Sequence, residues 1–252
     1  MSTTMAETNM PQGRIRIEHG AKRVRAYLGG EVVADTTRPV LVWETPHFPT
    51  YYLPLADVAA ELLETPHSAS RGKGINFTVR AGNKEAQGAA LRFQDSQIDE
   101  LRDLIRLNWD SMDAWFEEDE QVFTHPRDPY TRVDILPSSR HVRVEMGGRT
   151  VAESTSPRLL FETGLPARYY LPKTHVRLDL LIPTDTVSHC PYKGQAEWWS
   201  VRVGDAVHHD LAWSYPTPLP ESQKIAGLIA FYNEKVDMFV DGVLQEPPST
   251  HF

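Results

Sequence analysis

The chain has 252 residues, 40% of them apolar and 24% charged, the balance of a folded protein long enough for one large or two ordinary domains. A formal net charge of −8 argues against broad electrostatic attachment to nucleic acid, because neutralising phosphates needs a clustered basic surface. No apolar run nears the roughly 20 residues of a membrane span, and a single cysteine excludes an intrachain disulfide or a cysteine-rich zinc site.

The leader MSTTMAETNMPQG, residues 1–13, lacks the basic start and apolar centre of a secretory signal and reads as a flexible tail on a cytoplasmic protein. RVRAYLGGEVVADT then alternates on both sides of Gly29-Gly30, a pattern that predicts a tight hairpin because glycine accepts positive φ. Val40 to Glu44 follows as an extended segment. DSQIDELRDLIRL has a helical apolar period and a capping candidate in Asp95, so it predicts a short helix. The run Glu117 to Glu120 reads as a solvated acidic face or turn. THPRDP, residues 124–129, has the prolines and mixed charge of a linker.

Beyond the linker the chain repeats itself. Residues 14–58 align without a gap onto residues 132–176 at an offset of 118, with 18 identities in 45 positions. Gly29-Gly30 falls on Gly147-Gly148, Glu44 on Glu162, and YYLP on YYLP. The offset then becomes 122, which puts His67 on His189 and Trp109 on Phe231, and MDAWF resembles VDMFV. So long a period points to duplicated domains rather than a solenoid: residues 14–126 and 127–252. Duplication also predicts an approximate two-fold axis between the copies, a pseudo-dimer within one chain. HVRVEMGGRTVAES repeats the hairpin, and further extended segments are expected at Arg168 to Leu171, Val176 to Ile182, Glu197 to Val203 and Val207 to Tyr215. TPLPESQKIAG predicts a short helix, with prolines before its first turn and Glu221 complementing its dipole. The fold class is therefore mainly β: two antiparallel domains, each with a short helix.

Four blocks in order, ETGLPARYYLP, CPYKGQAEWWSV, DLAWSYPTPLPES and IAGLIAFYNEKVDMFVDG, resemble the bacterial family called domain of unknown function 427, here as a tandem pair. The resemblance implies a compact β-tent-like domain with a pocket between its sheets. The family's activity is not established, although the label nucleotidyltransferase is sometimes attached to it. Its signature positions fall on Glu162, Tyr170, Pro172, Cys190, Pro191, Tyr192, Lys193, Gly194, Trp213, Tyr215 and Phe231-Tyr232. The first copy departs from them, with Ser68, Ser70 and Arg71 in the cysteine block and ALRFQ where the second has AWSYP. A working site is thus expected in the second copy.

Cys190 is the candidate nucleophile, since a neighbouring cation such as Lys193 raises a thiol's thiolate fraction; burial as a small apolar side chain is the commoner fate of a cysteine. Adjacent His189 points to the opposite face of an extended segment, so a base for Cys190 would have to come from His208 or His209 on another strand. A metal site built from His189, Cys190, His208 and His209 has no closed zinc spacing, and no metal is assigned. Lys193-Gly194 has the chemistry of an anion contact without a phosphate-loop motif. Nucleotidyl transfer requires carboxylates grouped around a divalent metal; the Gly-Ser start with a paired-aspartate strand is absent, and the acidic pair Asp237 with Asp241 reads more simply as strand and turn, so that label is a poorly supported alternative. The aromatics Tyr169, Tyr170, Trp198, Trp199, Trp213, Tyr215, Phe231 and Tyr232 concentrate in the second copy, and half of them by strand parity belong to the core. The remainder, with charged groups nearby, suit a pocket for a flat or sugar-like ligand. The expected ligand-binding set is Glu162, Arg168, Tyr170, Cys190, Tyr192, Lys193, Trp213, Tyr215 and Tyr232. The leading expectation is a small-molecule-binding protein, with no nucleic-acid or membrane partner and no assigned cofactor. The alternatives are an enzyme using Cys190 or a metal, and a protein-interaction scaffold.

Overall fold

The computed structural model describes residues 15–65 and 74–250. The expected tail, and the segment with His67, Ser68, Ser70, Arg71 and Gly72, lie outside them. The chain divides into two units, Met1–Asp128 and Pro129–Phe252. Among the described residues no helix is long and apolar enough to cross a membrane.

The first unit holds β1 (Arg16–His19), β2 (Val24–Leu28), β3 (Glu31–Thr36), β4 (Val40–Trp43), β5 (Thr50–Pro54), β6 (Glu61–Glu64), β7 (Ile75–Ala81), β8 (Lys84–Arg92), β9 (Leu104–Leu107), β10 (Ala114–Glu117) and β11 (Glu120–Val122). They form a seven-stranded sheet, β1-β4-β5-β9-β8-β7-β6, and a four-stranded sheet, β11-β10-β2-β3. The second unit holds β12 (Val133–Pro137), β13 (Val142–Met146), β14 (Arg149–Ser154), β15 (Arg158–Glu162), β16 (Arg168–Leu171), β17 (Leu181–Cys190), β18 (Gly194–Val203), β19 (Ala206–Ser214), β20 (Ile229–Phe231), β21 (Asp237–Val240) and β22 (Val243–Leu244). Its sheets run β12-β15-β16-β20-β19-β18-β17 and β14-β13-β21-β22, the same order strand for strand. All neighbouring strands are antiparallel, so the chain is a tandem pair of β domains.

The glycine hairpins form as the alternation predicts. Gly29-Gly30 has φ of 64° and 83°, and Gly147-Gly148 has 57° and 75°, values that let two residues join strands of matched twist. Val24, Ala26 and Leu28 point inward on β2, as do Val142, Val144 and Met146 on β13. In the second domain these pack against Leu171, Val201, Ala212, Ile229 and Phe231 of the larger sheet, each large side chain contributing about 1.5–3 kcal/mol by leaving water. An apolar core therefore packs between the two sheets.

Other expectations also change. DSQIDELRDLIRL gives only a single 3-10 turn at Asp99–Leu101 and then β9, because Leu104, Ile105 and Leu107 are buried between β5 and β8. Pairing on both edges outweighs the helical period. TPLPESQKIAG gives a six-residue 3-10 helix, Pro220–Ile225. Val176 to Ile182 is not one strand: Val176 makes an isolated bridge to Ala152, a 3-10 turn spans Leu178–Leu180, and β17 begins at Leu181. The repeat also shifts in register. Leu107 pairs with Ala90 as Phe231 pairs with Ala212, so Leu107 rather than Trp109 is the counterpart of Phe231. Likewise Trp115 faces Ala26 as Met238 faces Val144, one residue off the match of MDAWF with VDMFV.

Glu117 is the largest departure from the sequence reading. It is only 4% exposed, and its carboxylate accepts hydrogen bonds from Lys22 Nζ (2.5 Å), Tyr51 Oη (2.9 Å) and the Arg127 amide (3.0 Å). Strand parity turns Glu117 inward on β10, and three donors satisfy it there.

Candidate functional site

On the second domain's seven-stranded sheet, the face away from the four-stranded sheet carries the alternate residues. Tyr170 lies opposite Ala230, Ala230 opposite Trp213, and Trp213 opposite Trp198. Arg168, Tyr232 and Tyr215 are two residues from these partners on the same face, as Cys190 is from Ser188, which faces Ala196. Tyr170, Trp213, Tyr215, Ala196 and Leu160 form one buried cluster with Ile225 from the 3-10 helix, and Cys190, Trp198 and Tyr232 pack at its margin.

The face is concave. Lys193 Nζ donates to Glu162 Oε2, although β15 and β18 are separated by β16, β20 and β19. Four strand spacings span about 19 Å on a flat sheet, more than the two side chains can bridge, so the sheet curls and the ion pair ties its flanks. Lys193 and Glu162 side chains are 10% and 7% exposed. The turn that presents Lys193 is fixed by its neighbours: its carbonyl accepts from the Leu219 amide (3.1 Å), and Ser222 Oγ donates to the Tyr192 carbonyl (3.0 Å). Gly194 has φ of 95°, and a Cβ there would lie 3.4 Å from the Leu219 nitrogen, so glycine serves both the left-handed turn and the close approach.

Electrostatics inside the cluster favour protonated donors. Burial works against the Lys193 ammonium, but Cys190, Glu162 and Tyr170 outweigh it and hold its pKa above the ordinary lysine value. Burial pushes the Tyr170 phenol up to about 12, against the opposing effects of Lys193 and of the hydrogen bond from Trp213 Nε1 (3.1 Å). Burial, with Tyr170, Cys190 and Glu162 nearby, pushes Tyr215 well above the usual phenol range.

Beside this polar group stand three mutually packed rings. Trp198, Trp213 and Tyr232 have centroids 4.9–5.6 Å apart, distances at which aromatic pairs attract. Trp198 Nε1 donates to Ser188 Oγ (2.9 Å). The Arg168 guanidinium lies 5.7 Å from both the Trp213 and Tyr232 rings and is clamped in two-pronged fashion by Glu234 (2.6 Å twice). Burial works to raise the Glu234 carboxyl, yet the Arg168 hydrogen bonds hold it below the ordinary glutamate value. At the rim, Asp210 accepts from Thr184 and Thr186 hydroxyls (2.8 Å each) at a φ of 47°, where the first domain has Gly88 at 62°.

Eight of the nine expected ligand residues thus supply side chains to one face. Tyr192 is placed by its backbone carbonyl at the turn. His208 is not brought to Cys190: it pairs with Val201, whereas Cys190 pairs with Gly194, seven residues and about 23 Å away along β18. Among the described residues no three His, Cys, Asp or Glu side chains gather as a metal ion would require. Glu234 was missed as a site residue; Trp198 was read among the second-copy aromatics without being placed in the ligand set, and Asp210 was read only as a carboxylate that could join a metal site.

The first domain fills the same face differently. Arg106 stands opposite Tyr52 where Ala230 stands opposite Tyr170, and it donates to Glu44 Oε2 at 3.0 Å while Tyr52 Oη donates to Oε1 at 2.6 Å. Leu91 takes the place of Trp213 and Asn76 that of Trp198, and Phe93, two residues on, that of Tyr215. The glutamate is kept, but among the described residues its cation is Arg106 of the central strand β9. The family described as Domain of unknown function (DUF427) matches residues 16–118 and again residues 134–242. The chain belongs to this family. Each DUF427 match takes in strands of both sheets of its unit, leaving out only the edge strands β11 and β22 and the first residue of β12, so the duplication is of whole domains. No curated protein matches the chain.

Proposed function

We propose that the second DUF427 domain binds a small organic ligand on the concave face of its seven-stranded sheet. The observation that carries this reading is the contrast between the copies: the second has Ala230 opposite Tyr170, grouped with Trp213, Tyr215 and the Lys193–Glu162 pair, whereas the first has Arg106 opposite Tyr52 and paired with Glu44. Rings give stacking area, and a few placed polar groups give orientation, the usual division of labour in ligand sites. Native mass spectrometry of freshly purified protein, beside a Trp213→Ala variant, tests it. A co-purified mass present in the wild type and lost in the variant supports the reading; a ligand retained in full by the variant overturns the placement.

Cys190 supports a second reading, in which the site is catalytic. The thiol is half-buried at the margin of the cluster, and the turn that follows it carries Lys193, whose amide donates to the Cys190 carbonyl (3.3 Å). Rapid alkylation of the native protein at neutral pH is the expected result, and a thiol inert until unfolding removes this reading while leaving the first in place.

A further inference from the structure

Resting on that ligand-binding reading, we infer that Asp210 is a positioning residue of the site: its carboxylate pins an excursion of β17 that sets the Trp198 ring beside Trp213 and Tyr232. The strand ladders locate the excursion. β17 pairs with β18 from Leu181 opposite Val201 to Pro183 opposite Trp199, and pairing resumes at Val187 opposite Glu197. Thr184, Asp185 and Thr186 thus stand against Trp198 alone, two residues more than an unbroken ladder would hold. Such an excursion gives up ladder hydrogen bonds, so other groups must hold it. On the other side of β18, β19 carries a matching one: Ala212 is opposite Trp199 and His208 opposite Val201, which leaves His209, Asp210 and Leu211 against Ser200. Asp210 joins the two across β18, accepting from Thr184 and Thr186 through separate oxygens at 2.8 Å each, while its amide donates to Ser200 Oγ (3.3 Å). Trp198 is held between them. Its carbonyl lies 3.3 Å from Thr184 Oγ1, and its indole donates to Ser188 Oγ (2.9 Å), whose place opposite Ala196 follows from the length of the excursion.

The first domain separates the bend from the tie. β8 makes the same excursion as β19, with Ala90 opposite Phe77 and Ala86 opposite Val79, and there Gly88 takes the left-handed position at a φ of 62°. The bend therefore needs no side chain, and a residue with a Cβ is disfavoured in it. Asp210 adopts that backbone at a φ of 47°, and what its carboxylate adds is the tie to β17. β6 has no excursion to tie: Glu61 to Glu64 pair with Arg80 to Phe77 in unbroken register, and the Thr65 amide continues the ladder to the Asn76 carbonyl (3.0 Å). Asn76 stands where the second domain has Trp198. Carboxylate, excursion and ring thus occur together in one copy and are missing together from the described residues of the other.

The test compares Asp210→Gly, which keeps the bend and removes the tie, with Asp210→Asn, which keeps one acceptor oxygen, in the full chain labelled with 15N-tryptophan. In Asp210→Gly the Trp198 indole resonance is expected to shift and its N–H to exchange about tenfold faster than in wild type, with Asp210→Asn between the two and Trp43, Trp109 and Trp115 unmoved. Thr184→Val with Thr186→Val removes the tie from the other side, leaves the Asp210 backbone in place, and is expected to reproduce the change at Trp198. A Trp198 signal that either variant leaves as in wild type overturns the inference. A ligand that co-purifies with the wild type is expected to fall several-fold in occupancy in Asp210→Gly, and a displaced Trp198 with that ligand retained in full overturns the positioning role. Wild-type protein that carries no ligand counts against the ligand-binding reading alone, and the Trp198 signal still decides the tie.

Discussion

Replacing Lys193 by methionine isolates the element that ties the concave face. The side chain keeps its length but loses its charge, leaving the Glu162 carboxylate, 7% exposed, with no other hydrogen bond or ion pair among the described residues. Removing one member of a buried ion pair costs about 3–5 kcal/mol, because the other is left charged and desolvated. The paired change Glu162→Gln with Lys193→Met removes both charges and is expected to recover most of that loss. Hydrogen-exchange mass spectrometry resolves the effect by segment: peptides spanning β16 and β20 are expected to exchange at least about 100-fold faster in the single variant, since each 1.4 kcal/mol is a factor of ten. Peptides spanning β5 and β9 serve as an internal reference. A single variant within about fivefold of wild type refutes the claim that this pair ties the flanks of the sheet, and a double variant as labile as the single refutes the assignment of the loss to an unpaired, buried Glu162 carboxylate.

Gly194→Ala forces a left-handed φ on a residue with a Cβ that meets the Leu219 backbone, and about 1–2 kcal/mol of stability is expected to be lost in urea unfolding. Because burial raises the Tyr170 pKa from 10.0 to about 12, its contribution is complete below pH 10 and is lost as pH rises toward 12; alkaline unfolding should therefore be less steep in Tyr170→Phe than in wild type. Arg168→Ala releases Glu234 and the cation over Trp213 and Tyr232, so near-ultraviolet circular dichroism should lose amplitude while the far-ultraviolet spectrum is retained.

The β architecture was legible because each hairpin carries its own code: alternation on both arms and paired glycines between them. The helix expected over DSQIDELRDLIRL failed for a reason no local window contains. Leu104, Ile105 and Leu107 have an apolar spacing compatible with helix, and the neighbours that make them a strand, β5 and β8, lie far away in sequence. The same applies to Glu117, whose acidic surroundings suggested solvent while Lys22, Tyr51 and Arg127 were waiting from three other segments. In the candidate site, duplication made the second copy's departures visible, and parity grouped Tyr170, Trp213 and Tyr232. Which face they occupy was not legible, because Tyr170 and Phe231 are equally aromatic and equally buried, and only the strand order shows that one faces the concavity and the other the core between the sheets. The substitution of Ala230 by Arg106 was also hidden, since it required the shifted register of β9 and β20.

The most direct test of the account uses the six tryptophans as reporters. With 15N-tryptophan-labelled protein, indole N–H resonances are followed while a ligand recovered with the protein is added. The account predicts shifts at Trp198 and Trp213, with Trp43, Trp109 and Trp115 unmoved. Shifts confined to the first domain's tryptophans would contradict it.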